Sequence, residues 1–125
     1  MSASLTERMA RFVVDIREVS DAALATATNA FIDTIGCSLA GTREPAAVLA
    51  RDWAAHLGAR PVAIWGTTQR GAATEAALAN GIAAHAHDYV DSHYTLRAHP
   101  STTLVPTVLA WGEAEGCSGR DALRA

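Results

Sequence analysis

Asp21–Gly41, DAALATATNAFIDTIGCSLAG, decides the fold. Leu24, Phe31, Ile35 and Leu39 recur among alanines at helical spacing, Ser20 supplies an N-cap and Gly41 a stop, so the stretch reads as one long helix. Asn29 and Asp33 are its main polar interruptions. So little polar face implies a helix central to an all-α bundle.

Working outward, Leu5, Met9, Phe12, Val13 and Ile16 form the apolar stripe of a short amphipathic helix, with Thr6 placed to cap it and Glu7 in its first turn. Pro45 suits a first-turn position and Gly58 a C-terminal cap, which makes PAAVLARDWAAHL a third helix. Residues 61–67 change character, with β-branched and aromatic residues around Ile64 and glycines at Gly66 and Gly71, and predict a short extended excursion. Helix resumes from Ala72 to about His87 despite Asn80-Gly81, a propensity break that marks close packing or a kink. Ser101 is placed to cap a fifth helix from Thr102 to Glu115, bent or opened by Pro106 and ended by Gly116. Ser118-Gly119-Arg120-Asp121 then has the form of a capping box opening another helix. No repeat, low-complexity tract or linker divides residues 1–125, which read as part of one domain.

Half of the residues are hydrophobic but only 6% are aromatic, so alanine, leucine and valine carry the apolar content, which favours close-packed helices over a β-sandwich. Trp53, Trp65 and Trp111 read as packing anchors, and His56 as a surface residue. A formal charge of −3 excludes the basic stripe of a nucleic-acid groove. No stretch approaches the roughly 20 uninterrupted apolar residues of a membrane span. Cys37 and Cys117 make no disulfide framework, and with no secretory leader at the N-terminus the expected location is the cytoplasm.

Chemistry concentrates in residues 80–106, NGIAAHAHDYVDSHYTLRAHPSTTLVP, which hold four of the five histidines, two aspartates and both tyrosines. Asp88 follows a helix whose C-terminal dipole disfavours an anion, so it needs a partner. His99 is restrained by Pro100, and a fixed imidazole suits acid–base work near neutral pH. For Asp91 and His93, substrate contact and a structural hydrogen bond stand equal; Arg97 fits a substrate carboxylate or an exposed loop. His85 and His87 lie on different helical faces, so at most one reaches a shared cavity.

The blocks FIDTIGCSLAG (31–41), AHAHDYVDSH (84–93), AHPS (98–101) and LVPTVLAWGEAEGCSG (104–119) resemble the MmgE/PrpD family, which includes 2-methylcitrate dehydratases, cis-aconitate decarboxylases and iminodisuccinate epimerases. The resemblance implies the N-terminal portion of the family's helical domain, completed in the longer proteins by returning C-terminal helices and dimer contacts. It assigns Asp88 and His99 to catalysis, with Ser92, His93, Asp91 and Arg97 as substrate-binding candidates for a small polycarboxylate. Ser92 stands where the family often has threonine, keeping the hydroxyl, and Val90 where the family pattern DYDDTH has an acid. Proton transfer next to carboxylates demands no metal and no organic cofactor. All ten basic residues are arginine, so carboxylate-binding lysines of the family kind must lie outside these residues.

Two other readings stand beside this one. His85, His87, Asp88, Asp91, His93 and His99 offer enough ligands for a metal-dependent hydrolase, although their helical context is unlike the strand that usually precedes such motifs. Alternatively, the chain is a truncated and inactive gene product, self-associating through uncovered apolar helix faces.

Overall fold

The computed structural model describes residues 3–16, 18–56 and 61–125, and among them is mainly helical. Six helices and one hairpin follow in the order α1 Leu5–Asp15, α2 Asp21–Gly41, α3 Pro45–His56, β1 Val62–Ala63, β2 Arg70–Gly71, α4 Ala73–His85, α5 Pro100–Glu115 and α6 Gly119–Arg124. The expected cap at Gly58 lies outside the described residues. No described helix is long and apolar enough to cross a membrane.

The helix starts follow local chemistry. Ser4, rather than Thr6, caps α1: its hydroxyl accepts the Glu7 N–H at 3.2 Å, leaving Thr6 inside the first turn. Ser20 caps α2 through the Ala23 N–H in the same way. α5 begins at Pro100 rather than Thr102, because proline fits the first helical turn and places Ser101 inside it. Gly116 ends α5 in the left-handed region at φ 70°, which costs a residue without Cβ nothing. The capping box at Ser118 opens α6, and donation by the Ser118 hydroxyl, then by its backbone N–H, holds the Asp121 carboxyl below the usual carboxylate range.

α4 is the hub of the bundle, packing against α2, α3 and α5; the expectation that α2 is central is corrected. α2 buries only Thr34, Ser38 and Gly41, while Ile32 and Leu39 are exposed. Its small polar face permits a close approach in which Ser38 donates to the Asn80 carbonyl at 3.1 Å, and a Cβ at Gly41 would collide with the Ala83 carbonyl. Alanines dominate the interior: Ala50, Ala54, Ala76, Ala79 and Ala110 cluster with Val62 and Ile64. Trp53 and Trp111 are 50% and 60% exposed, so they are not the packing anchors expected of them, and Trp65 is half-buried. With alanine at the seams, the helices approach too closely to admit an indole between them.

The extended excursion is the first strand of an antiparallel hairpin, turning through Gly66 at φ 70° and pairing Val62 with Gly71 and Ala63 with Arg70. Asn80, only 1% exposed, replaces a third strand. Its amide donates to the Ala63 carbonyl at 3.1 Å and accepts the Trp65 N–H at 2.9 Å, locking the hairpin onto α4. Glu113 of α5 grips the other side, accepting the Ala63 N–H at 3.0 Å and pairing with Arg70 at 2.5 Å.

The Asn80-Gly81 break is a packing feature, and α4 runs through it unbroken. Pro106 has no N–H to give the Thr102 carbonyl within α5. A Cβ built on Gly81 would lie 2.7 Å from that carbonyl oxygen, so the glycine lets α4 and α5 meet there.

Candidate functional site

α4 ends at His85, about two residues earlier than the sequence reading, because Asp88 enters the left-handed region at φ 57°. Aspartate tolerates that conformation better than most residues, and it turns the chain back across the helix end. Val90, 5% exposed, anchors the returning loop; a buried apolar side chain occupies the place where the family pattern has an acid.

Asp91 secures the start of α5 twice. Its carboxylate accepts the Ser101 N–H at 3.2 Å, one of the donors that a helix start leaves open, and its backbone carbonyl lies 2.8 Å from His99 Nδ1. A carbonyl only accepts, so Nδ1 carries the proton of neutral His99 and Nε2 is the nitrogen with a free lone pair. That nitrogen lies 3.2 Å from Asp88 Oδ1. His85 closes the group, with Nδ1 at 3.8 Å from the same oxygen and its ring centroid 4.8 Å from that of His99. His99 is half-buried; His85 and Asp88 are exposed.

An open groove of about 440 Å³ runs between α4 and α5 and reaches this triad at His85, lined also by Leu78, Ile82, Thr103 and Trp111 among others. Thr102, Thr103 and Thr107 turn their hydroxyls back onto the carbonyls of His99, Pro100 and Thr103, so the groove wall offers methyl groups.

The remaining candidates occupy the loop tip. His93 and Ala98 form a bridge, the His93 N–H donating to the Ala98 carbonyl at 2.9 Å, and His93 Nδ1 accepts the Leu96 N–H at 3.2 Å. Arg97 is held at φ 47°, and the side chains of Ser92, His93 and Arg97 are exposed. His87 leaves the triad, pairing with Glu44 at 3.7 Å and stacking on Tyr89, as expected of the two faces. The ligand set of the hydrolase reading therefore divides: His85, Asp88 and His99 come together, whereas His87, His93 and the Asp91 carboxylate are engaged elsewhere. The membership of His85 depends on the turn at Asp88, and no sequence spacing announces it. Away from this site, burial and then the neighbouring Asp33 push the Cys37 thiol up, which argues against a thiolate nucleophile.

Comparison with known proteins returns no match among curated sequences. The family model for the MmgE/PrpD N-terminal domain matches residues 7–125, nearly the whole chain and every block that builds the triad and its loop, so the chain belongs to the MmgE/PrpD family.

Proposed function

We propose that this chain supplies the acid–base end of a lyase site for small polycarboxylates, in the manner of a 2-methylcitrate dehydratase. The contact of His99 Nε2 with Asp88 Oδ1 at 3.2 Å carries this reading. With Nδ1 anchored on the Asp91 carbonyl, all proton traffic at His99 passes through Nε2. As the neutral base, Nε2 takes a proton from carbon next to a carboxylate; as imidazolium, it delivers one to the departing hydroxyl. The Asp91 carbonyl orients the ring, and Asp88 stabilises the charge that forms on it. Arg97, Ser92 and His93 lie on one exposed tip, where they meet the substrate's carboxylates, while lysine donors come from elsewhere in the complete protein. The route needs neither a metal nor an organic cofactor, and the active form is a cytoplasmic homodimer.

In the complete protein, His99→Ala and Asp88→Asn should each lower kcat by about 10² to 10⁴, the usual contribution of a positioned acid or base, with the helical circular dichroism retained. Near-normal turnover of either folded variant removes that residue from the mechanism. A complete wild-type protein inert towards 2-methylcitrate and cis-aconitate would overturn this substrate reading.

A further inference from the structure

We propose that His85, Asp88 and His99 form a binding site for one Zn²⁺ ion, and that the ion silences the acid–base pair by capturing the lone pair of His99 Nε2. The binding half stands on geometry alone; the silencing half rests on the proposed lyase reading.

A tetrahedral zinc site with bonds of about 2.0–2.2 Å has ligand-to-ligand edges of roughly 3.3–3.6 Å. The edges from Asp88 Oδ1 to His99 Nε2 and to His85 Nδ1 are 3.2 and 3.8 Å, and ligand atoms of all three residues lie within 4.8 Å of one another. The remaining edge, between His85 and His99, is at most 4.8 Å, and His85 and Asp88 are exposed side chains. Three protein ligands leave a fourth position for water or a carboxylate.

The surroundings of His99 point the same way. A metal-binding imidazole typically donates its second nitrogen to a carbonyl or carboxylate, which fixes the tautomer and aims the free lone pair at the ion. The Asp91 carbonyl, 2.8 Å from Nδ1, does this. When His99 is neutral, the Nε2 lone pair and the Asp88 oxygen are two acceptors facing each other at 3.2 Å, an arrangement that calls for a cation between them. A proton fills that role in the catalytic cycle, and a divalent ion competes for the same place. Two imidazoles and one carboxylate select zinc and its transition-metal neighbours over Mg²⁺ or Ca²⁺, which prefer oxygen donors. His87 and Glu44 make a second histidine–carboxylate contact at 3.7 Å with no third ligand among the described residues, and so provide an internal control.

The test uses the complete protein freed of metal with a chelator. Calorimetric titration with ZnCl₂ should give one ion per chain, and Co²⁺ should produce the visible absorption of a nitrogen- and oxygen-bound four-coordinate site. His85→Ala and His99→Ala should each weaken binding at least 10-fold, His87→Ala should leave it unchanged, and excess Mg²⁺ should not displace the ion. Absence of saturable binding, or unchanged affinity in His85→Ala, overturns the site. In the lyase assay, zinc should inhibit and chelator restore turnover, and His85→Ala should need at least 10-fold more zinc to lose half of its own zinc-free rate. Activation by zinc, or binding without inhibition, overturns the silencing role. Loss of all lyase activity in every metal state would instead remove the acid–base reading, since the calorimetric result does not depend on it.

Discussion

Asn80 shows how one buried side chain holds two elements together. Its amide pairs with the backbone of Ala63 and Trp65, while its own carbonyl accepts from Ser38, so α2, α4 and the hairpin converge on one residue. Asn80→Ala leaves a backbone donor and a backbone acceptor without partners and should cost about 2–3 kcal/mol. Denaturant unfolding should show the midpoint falling at unchanged slope; a midpoint within error of wild type would mean that the hairpin is held by the Glu113 grip alone. The sequence marks Asn80 as a propensity break but does not show what its amide reaches, because Ala63 and Trp65 come near it only through tertiary packing. The proposed acid–base pair has the same history. Asp88 and His99 are legible through their motif, whereas the recruitment of His85 is hidden in the left-handed turn at Asp88.

Among the elements, those whose ends are set by local chemistry are legible: Ser20, Pro45, Gly116 and the Ser118 box mark their helices where the structure has them. The ranking of the helices is not legible. An alanine-rich helix presents small apolar side chains on every side, so nothing in its periodicity says that α4 rather than α2 is surrounded. Glycine gives the better clue, because the α4–α5 seam closes over Gly81 where Pro106 leaves the Thr102 carbonyl without its helical partner. Gly81→Ala should force the helices apart and lower stability by about 1–3 kcal/mol. Gly36→Ala, whose new methyl meets nothing within 4 Å, should be neutral or stabilising by up to about 1 kcal/mol. Equal thermal midpoints for the two variants would refute a seam specific to Gly81.

At the scale of the whole molecule, the large apolar side chains face outward. Leu5, Met9, Phe12 and Val13 of α1, Ile32 of α2, Leu49 of α3 and Leu104 and Trp111 of α5 are all exposed. Residues 1–125 prepared alone should therefore self-associate, without lyase activity; a concentration-independent monomer on sizing that turns over 2-methylcitrate would contradict this. The alanine interior has a further consequence. Most proteins are damaged from within when a bulky side chain shrinks and leaves a hole, yet here the buried positions of α3 and α4, Asn80 apart, are already near the minimum size. At the alanine positions random change can do little except swell the interior, so there the harmful substitutions are those that add atoms, and compensation must come from helices sliding apart rather than from neighbours growing to fill a void.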